Sequence, residues 1–233
     1  MSIEISRVRA LCFDVDGTLN DIDDQFVSQL MNWLRPFKIL FPQKDPRSFA
    51  RKLVMFTETP ANYLFCVPDR LGIDDEISAF GDFLYRAGLG KKAKPFALIH
   101  GVKEMLDELK GRYPLSIVSA RGERSTRMFV EQFGLESFFE CIVTAQTCAH
   151  TKPYPDPVLW AAKHMEVSPE ACLMIGDTTV DMRAGKAAGT QTVGVLCGFG
   201  TANELIRAGA DAILPTTSLL SAALLSGNWP EAC

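Results

Sequence analysis

Short apolar runs alternate with longer amphipathic segments along most of the chain. The runs are rich in Val, Ile, Leu and Cys, which is typical of strands buried on both faces of a sheet. We predict strands at residues 8–13, 115–119, 141–144, 172–175, 192–196 and 212–214. Between most of them, apolar residues recur every three or four positions, the spacing of one helix face. This spacing predicts helices at residues 102–110, 123–133, 157–165, 181–188 and 202–208.

This alternation of strands and helices favours right-handed crossovers and a parallel sheet covered on both faces. We therefore predict an α/β fold whose core is a Rossmann-like, doubly wound parallel sheet. The segment 19–94 differs from the rest, because it holds three helix candidates and no convincing strand. We interpret it as a helical cap inserted into a discontinuous core of residues 1–18 and 95–233.

Composition and charge narrow the classes of protein to which the chain can belong. The 233 residues include 24 Lys and Arg against 28 Asp and Glu, a net charge of −4, which lacks the basic excess of a non-specific nucleic-acid binder. No apolar run has the length of a membrane span, and the N-terminus does not resemble a secretory leader. The 7 cysteines are irregularly spaced and favour neither a disulfide framework nor structural zinc. We expect a cytoplasmic protein without nucleic-acid or membrane partners; its oligomeric state stays open.

Chemically versatile side chains are concentrated just beyond four of the predicted strands. In chain order they are Asp14 and Asp16, Ser119, Lys152, and Asp177 and Asp181. In a parallel sheet the carboxyl ends of all strands meet at one edge, where ligands bind near the reversal of strand order. Carboxylates crowded together repel one another unless a divalent cation neutralises them, and an oxygen-only ligand set suits Mg²⁺. A hydroxyl and an ammonium beside that cation would complete a cradle for phosphoryl oxygens.

The same residues form four motifs, in order, that resemble those of the haloacid dehalogenase-like hydrolase superfamily. The resemblance is strongest to its phosphoglycolate phosphatase-like and β-phosphoglucomutase-like members. The matching segments are Asp14-Val-Asp16-Gly-Thr18, Ser119 after an apolar strand, Lys152-Pro-x-Pro-Asp156, and Gly176-Asp177-x-x-x-Asp181. An Asp-x-Asp pair alone is a weak signal, whereas this ordered quartet at strand ends is a specific one.

The resemblance implies a catalytic role for each motif. Asp14 would attack phosphorus and form an aspartyl-phosphate, while Asp16 would protonate the leaving group and later deprotonate water. Ser119 would hydrogen-bond a phosphoryl oxygen, and Lys152 would balance the charge on the phosphoryl group and on Asp14. Arg121 follows the second motif and is a candidate ligand for phosphate or carboxylate, with a surface role as the alternative.

The resemblance also implies a metal site and a cap function. Mg²⁺ would be held by Asp14, the backbone carbonyl of Asp16, and Asp177, with Asp181 binding or orienting the metal shell. The cap at 19–94 would close over the site and exclude water.

These expectations predict an enzyme that uses Mg²⁺ to hydrolyse a small phosphomonoester, with a small phosphorylated metabolite as its partner. A sugar phosphomutase of the β-phosphoglucomutase type is the first alternative, because it would use the same two aspartates. Two non-enzymatic alternatives also place Asp, Ser or Thr, and Lys at strand ends: a phosphate-binding protein on the same fold and a phospho-signalling domain.

Overall fold

The computed structural model describes residues 3–21, 96–227 and 229. Nearly all of the segment predicted to be a helical cap lies outside the described residues, so the division into core and cap stays a prediction. Within the described residues, no helix is long and apolar enough to cross a membrane.

Six parallel strands form one sheet in the order β3-β2-β1-β4-β5-β6. They are β1 Ala10–Phe13, β2 Leu115–Val118, β3 Cys141–Val143, β4 Cys172–Gly176, β5 Gln191–Val195 and β6 Ala212–Leu214. The order confirms the predicted doubly wound α/β sheet, because the chain builds outward from β1 in one direction and then returns to build from β4 in the other. The strand order therefore reverses between β1 and β4, which are neighbours.

Six α-helices connect or follow these strands in the described residues. They are α1 Val102–Leu109, α2 Glu123–Phe133, α3 Asp156–His164, α4 Thr179–Ala188, α5 Ala202–Ala208 and α6 Leu220–Ser226. The first five confirm the predicted helices to within two residues at each end. The prediction omitted α6, although its buried Leu220, Ala223 and Leu224 have the spacing of one helix face.

The two faces of the sheet are packed differently, as the alternation of side chains along β1 shows. Leu11 and Phe13 belong to a core of large side chains that includes residues of α1, α2 and α6. Ala10 and Cys12 point the other way and pack with small residues of α3 and α4, such as Ala161 and Ala184. Both faces are thus filled mainly with apolar side chains, apart from polar residues such as Ser116 and Thr192 on the strands, and the buried charged groups lie at the carboxyl edge of the sheet. The cysteines among the described residues are free thiols.

Candidate active site

Asp14 and Asp177 lie side by side at the reversal of strand order. Asp14 directly follows β1, and its backbone N–H donates to the carbonyl of Ile175 on β4 at 2.9 Å. Asp177 directly follows the last residue of β4. Because the two strands are paired in register, the hydrogen-bonded ladder itself brings the two carboxylates to one place.

Lys152 joins two of the carboxylates. Its Nζ donates to Oδ1 of Asp14 at 2.5 Å and to Oδ1 of Asp181 at 2.6 Å. The side chains of Lys152, Asp14 and Asp181 are 3%, 9% and 1% exposed. Two buried anions therefore share one buried ammonium.

Asp177 is held by two loops that close around it. Its Oδ2 accepts the backbone N–H of Phe199 at 2.8 Å, and its Oδ1 accepts the hydroxyl of Thr18 at 3.4 Å. Gly17 lies in the left-handed region with φ of +73°, and a Cβ on either Gly17 or Gly198 would clash with the Asp177 carboxylate. Glycine is required at both positions, because only a bare backbone can approach the carboxylate so closely.

Asp181 has a structural role at the start of α4 in addition to its contact with Lys152. It is the third residue of α4 and forms a capping box with Thr178, whose backbone N–H and hydroxyl donate to Asp181 Oδ2 at 3.0 and 2.6 Å. Both carboxylate oxygens of Asp181 thus have partners in the protein. This residue fixes the start of α4 and orients Lys152 toward Asp14.

The four residues Asp14, Lys152, Asp177 and Asp181 form what we call the buried cluster. One oxygen from each of its three carboxylates lies within 4.8 Å of the others. Three ionised carboxylates and one ammonium leave two negative charges away from solvent, an arrangement that needs a counter-charge. An all-oxygen set of this kind fits a hard divalent cation such as Mg²⁺. The side chain of Asp16 is not part of this set among the described residues.

Burial changes the acidity of the cluster. Burial raises the pKa of Asp14 from 3.8 to about 7; the Lys152 ammonium lowers that pKa in part, while the Asp181 and Asp16 carboxylates raise it further. Burial alone would lower the pKa of Lys152, but the Asp14 and Asp181 carboxylates raise it above its usual range. Lys152 therefore remains an ammonium, and a cation beside Asp14 would favour the ionised carboxylate that a nucleophile needs.

Asp16 faces a different partner, Arg121, and we call these two residues the rim pair. Arg121 Nε donates to Asp16 Oδ2 and Arg121 Nη2 donates to Asp16 Oδ1, which makes the contact a bidentate ion pair. Asn20 Nδ2 donates to Asp16 Oδ1 at 3.1 Å, and the guanidinium lies 5.0 Å from the centre of the Phe96 ring. The side chains of Arg121 and Asp16 are 24% and 30% exposed, so the rim pair is far less buried than the cluster.

Ser119 is buried at the end of β2 and is linked to the rim pair. Its backbone N–H donates to the carbonyl of Val143 at 2.9 Å, which extends the sheet by one residue. Its Oγ accepts the backbone N–H of Arg121 at 3.1 Å. Ser119 thus shapes the loop that carries Arg121.

Sequence reasoning missed several residues that support the site. Thr178 could have been found, because a Thr three residues before an Asp at a helix start is a capping-box pattern. Thr217, whose hydroxyl donates to the Thr18 carbonyl at 2.6 Å, has no comparable local signal, because its partner lies far away in the sequence. Asn20 contacts the nearby Asp16, but its other contact, with the backbone N–H of Ala97, joins parts of the chain that meet only in the folded protein.

Comparison with known proteins agrees with this architecture. A family model described as haloacid dehalogenase-like hydrolase matches residues 11–195. The chain is 30% identical over 190 residues to pyrophosphatase PpaX of Anoxybacillus flavithermus, covering 81% of this chain and 84% of that protein. It is also 30% identical over 210 residues to a Dickeya dadantii protein named probable phosphatase IndB, covering 88% and 89%. A crystal structure named as a predicted phosphoglycolate phosphatase from Haemophilus somnus superposes with a TM-score of 0.60 at 19% identity, over 92% of this chain and 96% of that one.

Proposed function

The chain belongs to the haloacid dehalogenase-like hydrolases, and we propose that this hydrolase is a Mg²⁺-dependent phosphatase that acts on a small phosphomonoester through Asp14. The observation that carries the proposal is the buried cluster. Asp14 ends a central strand, contacts a buried ammonium, and has a carboxylate oxygen within 4.8 Å of those of Asp177 and Asp181. The names of the relatives support phosphatase chemistry, since they include a pyrophosphatase and a phosphatase.

In the first step, an oxygen of Asp14 attacks phosphorus. A bond forms between that oxygen and phosphorus, and the bond between phosphorus and the leaving alkoxide breaks. Asp16 gives its proton to the departing oxygen, so the product leaves as a neutral alcohol. Lys152 stays beside Asp14 throughout and offsets negative charge on the phosphoryl group.

In the second step, water attacks the same phosphorus atom. Asp16, now a carboxylate, accepts a proton from that water, and the bond between phosphorus and Asp14 breaks. Inorganic phosphate leaves, Asp14 is a carboxylate again, and Asp16 is again protonated. Ser119 is proposed to donate its hydroxyl to a phosphoryl oxygen during both steps.

The residues proposed to hold Mg²⁺ are Asp14, Asp177 and the backbone carbonyl of Asp16. When bound, the cation supplies positive charge to the phosphoryl oxygens and to Asp14. Asp181 is proposed to orient the site rather than to be a principal ligand, because Lys152 and Thr178 already occupy its two oxygens.

The test is phosphate release from a panel of phosphorylated compounds, assayed with Mg²⁺ and with EDTA. The panel includes alkyl phosphates, phosphoglycolate, sugar phosphates and pyrophosphate. We expect Mg²⁺-dependent turnover of a phosphomonoester, at least about a thousandfold lower in Asp14→Asn because the nucleophile is lost. Asp107→Asn, an exposed aspartate on α1, is the matched control and should keep full activity.

Other outcomes would overturn the proposal. Turnover that survives both EDTA and Asp14→Asn would exclude this mechanism. Isomerisation of a sugar phosphate faster than phosphate release would favour the phosphomutase alternative. Binding without turnover across the panel would favour a phosphate-binding protein, and stable phosphorylation from a donor would favour a signalling domain.

The metal assignment has its own test. Asp177→Asn should raise the Mg²⁺ concentration for half-maximal activity about 10- to 100-fold, the equivalent of one lost charge-assisted contact. Asp181→Asn should change that concentration less but should destabilise the fold, because it weakens the contact with Lys152. The reverse ranking would make Asp181 the principal ligand. Metal affinity can be measured directly by calorimetry, independently of turnover.

A further inference from the structure

We propose that Arg121 and Asn20 are positioning residues that reserve one oxygen of Asp16, Oδ2, for proton transfer. The proposal rests on the function proposed above, in which Asp16 is the general acid and base. It concerns residues outside the buried cluster and assigns Arg121 a role through Asp16 instead of through the substrate.

The argument begins with the contacts that Asp16 makes. An ionised carboxylate has two oxygens and about four lone-pair positions. Arg121 occupies one position on each oxygen, and Asn20 occupies the second position on Oδ1. Among the described residues, the position left over is on Oδ2. That oxygen is therefore the one able to carry and exchange a proton while the carboxylate stays in place.

The donors themselves are held in position. The backbone N–H of Arg121 donates to Ser119 Oγ, and its carbonyl accepts the backbone N–H of Ala145 at 2.9 Å. The guanidinium lies over the Phe96 ring. Asn20 Oδ1 accepts the backbone N–H of Ala97 at 3.1 Å, which turns its amide nitrogen toward Asp16. Both donors are anchored by several contacts, including contacts with the adjacent residues Phe96 and Ala97, so together they fix the orientation of the carboxylate.

Orientation matters because Asp16 is 30% exposed and, within the part of the chain that the structure describes, contacts no buried ammonium like the one beside Asp14. A partly exposed carboxylate on its own would turn about its side-chain torsions, and a misplacement of about 1 Å can reduce a rate by about a hundredfold. The bidentate Arg121 contact limits that freedom in a way a single ammonium would not.

The test uses leaving groups of different basicity. p-Nitrophenolate leaves without a proton, whereas an alkoxide needs one, so only alkyl phosphates depend on a correctly oriented acid. Arg121→Met should lower kcat/KM on an alkyl phosphate about 10- to 100-fold and kcat/KM on p-nitrophenyl phosphate less than about threefold, because kcat/KM covers the steps up to departure of the leaving group and not the later attack of water. Arg121→Lys should recover little of the loss, because an ammonium lacks the fork geometry. The inhibition constant of inorganic phosphate should stay unchanged.

Two comparisons complete the experiment. Asp16→Asn should show the same dependence on leaving group, and adding Arg121→Met to it should cause little further loss, because the two residues act as one unit. Arg127→Met is the matched control, since Arg127 forms an exposed pair with Glu123 within α2 and should have no effect.

The opposing results are equally distinct. Equal losses on both substrates with a raised inhibition constant for phosphate would make Arg121 a substrate ligand, a role for which its buried Nη1, unpaired among the described residues, would be available. No loss on either substrate would remove Arg121 from the mechanism. If the wild-type enzyme is active and the variants give either of these results, only this inference is refuted. If the wild-type enzyme is inactive on the whole panel, both this inference and the proposed function are refuted.

Discussion

The buried cluster and the rim pair lie at the same edge of the sheet, yet their charges are stabilised in different ways. The side chains of Asp14, Lys152 and Asp181 are at most 9% exposed, and the one ammonium of the cluster contacts two of its three carboxylates. The rim pair matches one cation with one anion, and both side chains are about a quarter exposed. The charges of the buried cluster thus do not cancel and lie away from solvent, whereas the charges of the rim pair cancel and are partly exposed to solvent.

This difference separates two requirements of the proposed chemistry. Low dielectric strengthens each interaction in the cluster but also makes an unmatched charge expensive, so the cluster favours binding a cation or keeping a proton. Water beside the rim pair screens its charges, so that pair contributes little to stability and more to orientation. We expect changes in the cluster to alter stability and metal binding, and changes at the rim to alter mainly the rate of proton transfer.

The largest effect is expected from Lys152→Met. The substitution leaves the Asp14 and Asp181 carboxylates without their shared ammonium, and breaking a buried ion pair costs about 3–5 kcal/mol. The free energy of unfolding, measured with urea in EDTA at pH 8, should fall by that amount. The loss should shrink at pH 5, where Asp14 is protonated.

The matched control for that variant is Lys186→Met. Lys186 pairs with Asp211, but its side chain is 39% exposed, and a surface pair contributes at most about 1 kcal/mol. Similar losses of unfolding free energy in Lys152→Met and Lys186→Met would show that the buried ion pairs contribute no more to stability than an exposed pair, and the contrast between the cluster and the exposed pairs would be wrong.

A smaller effect, on the order of a few kcal/mol, is expected from pH in the metal-free protein. The pKa of Asp14 is about 7 in the fold against 3.8 ordinarily, so between these values the folded state binds more protons than the unfolded state. Stability from this group is complete below pH 4 and is lost as pH rises through 7. Lys152 adds no pH dependence of stability between these two values, because its pKa is raised from 10.5 and it stays charged throughout.

Chemical denaturation in EDTA between pH 4 and pH 8 measures how the free energy of unfolding depends on pH. Asp14→Asn should remove most of this pH dependence, and Asp107→Asn should leave it unchanged. Saturating Mg²⁺ should reduce the pH dependence by favouring the ionised carboxylate. A stability that rises over this range would mean that the pairing with Lys152 outweighs the burial of Asp14.

The same contrast explains how far the sequence could predict the molecule. The strands are predictable because each is a short apolar run. The gathering of the charged residues that follow the strands is predictable because the carboxyl ends of parallel strands meet at one edge of the sheet. Asp14, Lys152, Asp177 and Asp181 do gather there, as that rule predicts. Their catalytic and metal-binding roles stay proposals.

The rim pair was beyond such reasoning. Asp16 and Arg121 are 105 residues apart, and no periodicity relates them. The sequence makes Arg121 a candidate ligand for phosphate or carboxylate or else a surface residue, and in the fold it contacts a carboxylate of the protein itself. The spacing of apolar residues predicts that α4 begins at residue 181, whereas it begins at Thr179, because the capping box of Thr178 and Asp181 starts the helix earlier than the apolar spacing indicates.

The smallest expected effect concerns the support behind the rim pair, the Phe96 ring. Phe96→Leu keeps an apolar side chain but removes the aromatic face under the Arg121 guanidinium, a contact of about 0.5–1 kcal/mol at a partly exposed site. If Arg121 orients Asp16, kcat/KM on an alkyl phosphate should fall about two- to fivefold, while kcat/KM on p-nitrophenyl phosphate stays the same. Phe133→Leu is the matched control, because Phe96 and Phe133 both pack edge-on against Phe129, at 5.7 and 5.4 Å between ring centres. Equal effects of the two variants on both substrates would mean that Phe96 acts only through packing, and that the orientation of Asp16 does not depend on the ring beneath its partner.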